Sequence, residues 1–129
     1  VAPTPTDRPY WEERASRDSL LIVDAVLELL RTINRDFEAK YNKYYIGLAL
    51  TGSFFNLGSL KPQKKRVRCD VKVSFSEDLR ASLEEAGFDS LDYDARRGRF
   101  RFALAPGDVD GHRDVLLRLF EAAHKESLE

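Results

Sequence analysis

The chain has 129 residues, 43% of them hydrophobic and 33% charged, with 21 Lys and Arg against 22 Asp and Glu and a formal net charge of −1 at pH 7. That is enough chain to bury one core without metal or disulfide staples, and too apolar a composition for a disordered protein. No apolar run exceeds four residues ("LLIV", 20–23), which excludes a membrane-spanning helix, and the single cysteine, Cys69, excludes an internal disulfide and fits a cytoplasmic location.

Residues 1–9, "VAPTPTDRP", hold three prolines and read as a flexible lead-in; no charged-then-apolar leader precedes them, so no secretory signal is expected. Methionine is absent, so the chain reads as processed or as a module of a longer protein. Asp7 and Pro9 predict the start of a short helix with Trp11 as its anchor. The main helix is expected over 18–38, capped by Asp18 or Ser19, with Ile22, Val26, Leu29, Leu30, Ile33 and Phe37 on one face. Leu21, Val23 and Leu27 widen that stripe, as a second buried interface would.

The period then changes to two. Residues 44–50, "YYIGLAL", and 54–60, "FFNLGSL", flank the turn signal "TGS". Over 66–75, Val67, Cys69, Val71, Val73 and Phe75 point one way and Arg66, Arg68, Asp70, Lys72 and Ser74 the other. Ser76 caps a helix that carries Leu79, Leu83 and Ala86 and stops at Gly87, with Phe88 beyond it. "SLDYD" and "RFRFAL" make a hairpin across "ARRG", and a last helix opens near Asp108 or Asp110. Residues 10–127 therefore form one domain, with Leu128 and Glu129 read as a cloning remnant. The order α-βββ-α-ββ-α predicts an α+β two-layer sandwich: a five-stranded antiparallel or mixed sheet with its helices packed on one face.

The small net charge conceals a segregation. Residues 39–69 contain no acid but seven cations, Lys40, Lys43, Lys61, Lys64, Lys65, Arg66 and Arg68; Arg96, Arg97, Arg99 and Arg101 form a second group. The alternation puts Arg66, Arg68, Lys72, Arg99 and Arg101 on the open sheet face, with Tyr45 and Asn56 beside them where strand register allows. Lys64, Lys65, Arg66, Arg68, Lys72, Arg97, Arg99 and Arg101 are thus candidate phosphate contacts, and Tyr45 a candidate for stacking on a base. The same charges equally serve a solvated face that resists edge-to-edge aggregation.

Catalytic readings fare less well. "DVK" at 70–72, in an order of helix, three strands, helix and strand, resembles the PD-(D/E)xK nuclease core. Yet the preceding strand offers no acid to share a metal with Asp70. Cys69 lies on the inward side between valines, as an inert thiol does. His112 and His124 are twelve residues apart, too far to share a metal, and Asp89, Asp92 and Asp94 lack the calcium-loop spacing. No metal site and no cofactor are expected.

"YNKYYIGL" (41–48), "LKPQKK" (60–65), "LDYDARRGRFRFAL" (91–104) and the closing helix resemble a group of uncharacterised bacterial domains often labelled "predicted transport protein". Those domains are similar to C-terminal modules beside predicted nuclease or restriction-type segments. The resemblance covers about residues 35–126. It implies an accessory binding domain working on nucleic acid and carries over no catalytic residue. The expected function is non-catalytic binding, with nucleic acid as the first partner. A protein-interaction or homodimerisation module, within or beside a parent protein, is the alternative, followed by a degenerate nuclease; no membrane partner is expected.

Overall fold

The computed structural model describes residues 6–53 and 55–129. Of the expected lead-in, residues 1–5 lie outside the described residues. Asp7 accepts from the Tyr10 N–H and so caps α1 (Arg8–Arg14), with Pro9 in the first turn, where a missing N–H leaves no bond unmade. Arg8 grips Asp24 with two hydrogen bonds of 2.7 and 2.8 Å, tying α1 to α2 (Arg17–Ile33). α2 is capped by Ser16, ahead of both expected candidates, and ends at Ile33, short of the expected 38. Asn34 turns extended, and Phe37 opens a strand, β1 (Phe37–Tyr41).

β1 is the sixth strand, where five were expected. With β2 (Ile46–Leu50), β3 (Gly58–Pro62), β4 (Val67–Lys72), β5 (Asp89–Asp94) and β6 (Arg99–Leu104) it builds one sheet in the order β1-β2-β3-β4-β6-β5. All five pairings are antiparallel, so the sheet is not mixed. The expected tight hairpin at "TGS" is instead a loop over 51–57, and β3 starts later, at Gly58. Gly58 marks a close approach: a Cβ there would fall 2.3 Å from the Asp70 carbonyl oxygen on β4. α3 (Glu77–Ala86) links β4 to β5, capped by Ser76 and stopped by Gly87 in the left-handed conformation (φ 80°), as expected. The closing helix breaks at His112 into α4 (Asp108–Gly111) and α5 (Arg113–Ser127).

One face of the sheet is buried. Val67, Cys69 and Val71 of β4 and Phe100, Phe102 and Leu104 of β6 point into a core closed by α2 and α5, through Val26, Leu30, Leu116 and Phe120 among others. Each such side chain contributes about 1.5–3 kcal/mol on leaving water. Phe75 keeps to the expected side but outside the strand and the core. It lies past the end of β4, 52% exposed, its ring against Tyr93 and Phe100. Cys69 is buried as expected; burial, then the neighbouring Asp70 charge, pushes its thiol well above the ordinary range, which leaves it unreactive.

Candidate functional site

Residues directly opposite in an antiparallel sheet share a face, so the register maps the outer surface. Arg68, Asp70 and Lys72 of β4 stand against Lys61 and Ser59 of β3 on one side and Ala103, Arg101 and Arg99 of β6 on the other. β5 adds Asp92 beside Arg101 and Asp94 beside Arg99. Gly47 and Ala49 of β2 and Glu38 and Lys40 of β1 complete the surface. Small residues thus floor its centre and long charged ones rise around it.

Two walls make the surface concave. On one side Ser53 and Asn56, after β2, lie against β1 and β2, and the Lys40 ammonium donates to the Ser53 carbonyl. The Asn56 side chain lies directly on Gly47, and a Cβ at that glycine would come within 2.7 Å of it. Opposite stands the β5–β6 turn, closed by Gly98 (φ 68°) donating to the Asp94 carbonyl. Between them is a depression of about 540 Å³ lined by Tyr45, Asn56, Ser59, Lys61, Asp70, Lys72, Asp94, Arg97, Arg99 and Arg101. Tyr45 is held there by α1, since Trp11 donates from its indole N–H to the Asn42 carbonyl (2.9 Å) and Tyr10 from its hydroxyl to Lys43 (3.1 Å).

The face is basic but partly neutralised. Arg99 donates to Asp70 Oδ1 at 2.6 Å, and Ser59 to Asp70 Oδ2 at 2.7 Å. Arg101 grips Asp92 with two bonds, 2.9 and 2.6 Å, and passes Asp94 at 3.7 Å. The Arg101 hydrogen bond holds the Asp92 carboxyl below the usual carboxylate range, with Arg68 adding a smaller pull. Among the described residues, Lys61, Arg68 and Lys72 have no carboxylate within ion-pair distance. Lys61 and Arg68 are also directly opposite one another, a like-charge pairing that costs stability. Counting the turns that border the face, Lys43, Lys64, Lys65, Arg66, Arg96 and Arg97 join Lys40, Lys61, Arg68, Lys72, Arg99 and Arg101. Twelve of the 21 cations therefore lie here with only five of the 22 acids, Glu38, Asp70, Asp89, Asp92 and Asp94.

The candidates read from the sequence thus divide. Tyr45, Lys72, Arg97, Arg99 and Arg101 line the depression. Arg68 lies on the same face outside it, and Lys64, Lys65 and Arg66 occupy the β3–β4 turn at one end of the sheet, where Ser16 donates to the Lys64 carbonyl. Arg99 and Arg101, expected as phosphate contacts, are already paired, because β6 lies between β4, which brings Asp70 to Arg99, and β5, which brings Asp92 and Asp94 to Arg101. Ser59 was not singled out from the sequence, and no local pattern marks it: its role comes from the β3–β4 register. Asp70 accepts one bond on each carboxylate oxygen, from Arg99 and from Ser59. Among the described residues no group of three or more His, Cys, Asp or Glu side chains is arranged to hold a metal ion. Neither a family model nor a curated protein nor a solved structure matches the chain.

Proposed function

We propose that the domain is a non-catalytic binding module that holds nucleic acid on its open sheet face, as an accessory part of the bacterial domain group that residues 35–126 resemble. The observation that carries this reading is the unpaired Lys61–Arg68 juxtaposition beside a concave, net-basic surface. Two opposed cations repel in the free protein, and a phosphate between them turns that cost into attraction. Phosphates supply that charge repeatedly along a strand, and the aromatic Tyr45 at the rim suits a neighbouring base. Asp70 is bonded to Arg99 and Ser59 and belongs to no metal-ligating group among the described residues, which favours binding without hydrolysis over an active nuclease.

A protein-interaction or homodimer module would use the same sheet face or the apolar surface of α2, and most of the α2 stripe is used within the chain. Val23 is buried and Leu27 half-buried, leaving Leu21 exposed.

Fluorescence anisotropy with labelled single- and double-stranded oligonucleotides at two salt concentrations tests the proposal, beside the double variant Arg68→Glu, Lys72→Glu. The expected result is binding that weakens steeply with salt and disappears in the folded variant. Undiminished binding by the variant, or no binding at low salt, contradicts it.

A further inference from the structure

We infer that the depression is a subsite for one nucleotide of a single-stranded nucleic acid, with Asn56 and Asp70 selecting a base that carries an exocyclic amine; the inference rests on the nucleic-acid reading of this face. Asn56 is the first observation. Among the described residues its side-chain amide makes no hydrogen bond, and it lies against Gly47, where even a Cβ would collide with it at 2.7–2.9 Å. Two donors and an acceptor therefore line the groove with no partner among the described residues. Amides so placed recognise a base through paired donor and acceptor contacts, and their commonest match is adenine.

The charge pattern along the groove is the second observation. Lys61 is level with Arg68, four residues from Lys72 along β4, so the two lysines stand ~13 Å apart in the strand direction. Asp70 lies between them. Asp70 is balanced by Arg99, so the middle of the β3–β4 pair carries less positive charge than its two lysine ends, and the ends suit the phosphates while the middle is left for the base. Asp70 spends one lone pair of each oxygen on Arg99 and Ser59 and keeps acceptor capacity for an amine. Tyr45 precedes Ile46, which pairs with Leu60, and this sets its ring beside Lys61 at one mouth of the groove. The volume, about 540 Å³, falls in the range of small-ligand clefts. A splayed single strand can deliver a base into such a cleft, whereas a duplex keeps its bases stacked and paired.

The test is anisotropy with oligo(dA), oligo(dC), oligo(dT) and a mixed duplex, for the wild type and for Tyr45→Ala, Asn56→Ala and Gly47→Ala. The wild type is expected to bind oligo(dA) and oligo(dC) several-fold more tightly than oligo(dT) or the duplex. Tyr45→Ala should weaken all single strands about tenfold. Asn56→Ala should abolish the preference while binding persists. Gly47→Ala should do the same by displacing the amide without removing it, and if that variant does not fold, Asn56→Ala decides alone. Equal binding of the three single strands, a duplex bound as tightly as they are, or a preference unchanged in Asn56→Ala overturns the subsite and leaves the proposed function standing. No binding of any oligonucleotide by the wild type overturns both.

Discussion

Lys61 shows how one position can set stability against binding. Opposed to Arg68, with no carboxylate within ion-pair distance among the described residues, it contributes repulsion to the β3–β4 pair. Lys61→Glu replaces that repulsion with a cross-strand attraction and should raise stability by about 0.2–1 kcal/mol in urea melts, while lowering oligonucleotide affinity. A variant that loses both would mean that Lys61 supports the fold in some other way. Glu126 works in the opposite sense. Its carboxylate accepts from the Ser74 N–H and hydroxyl, fastening the end of α5 to the segment after β4. Those bonds, the backbone N–H first, lower its pKa below the ordinary value of 4.5. A depressed carboxylate contributes stability above its unfolded pKa and loses it as pH falls through the folded one. Glu126→Gln should therefore lower the Tm at neutral pH, and the gap to wild type should narrow as the pH falls below the ordinary carboxylate range. A gap independent of pH would contradict the assignment.

Elements with a signal of their own were legible in the sequence. β4 alternates cleanly, α3 carries both a cap and a glycine stop, and β5–β6 is a hairpin around a basic turn ending in glycine. β1 was not, because Ile33 and Phe37 keep the helical spacing across the point where α2 ends, and five residues are too few to establish a rival period. The 51–57 loop was misread for the related reason that an aromatic, half-apolar run looks like a strand whether or not it pairs. The site depended on what was hidden. Insertion of β6 between β4 and β5 pairs Asp70 with Arg99 and Asp92 with Arg101, and sequence order carries no trace of that exchange. The outward positions of Arg68, Lys72, Arg99 and Arg101 were readable; their partners were not. Gly58 is the element-scale test, since its hydrogen faces the Asp70 carbonyl across the strand pair. Gly58→Ala forces β3 and β4 apart and should cost about 1–3 kcal/mol in denaturant unfolding, with a loss of oligonucleotide binding as Lys61 and Arg68 lose register. An alanine tolerated without loss would contradict the close approach.

At the scale of the molecule, the sheet separates charge. Its outer face and bordering turns gather most of the cations, and the helical layer holds most of the acids, so a chain of net charge −1 presents a strongly polarised surface. Such a distribution steers an anionic partner to one side and orients it before contact, and the effect fades as salt screens it. The helical layer then serves as the scaffold that fixes the groove: α1 holds the Tyr45 turn, and α2 holds the Lys64 turn through Ser16. The most direct test of the central claim is an NMR titration of isotope-labelled protein with a short single-stranded oligonucleotide at low salt. The account predicts amide shifts concentrated at Tyr45, Asn56, Ser59, Lys61, Arg68, Lys72 and the β5–β6 turn, reversed by added salt. Shifts centred on α1, α2 or α5, or none at all, would contradict it.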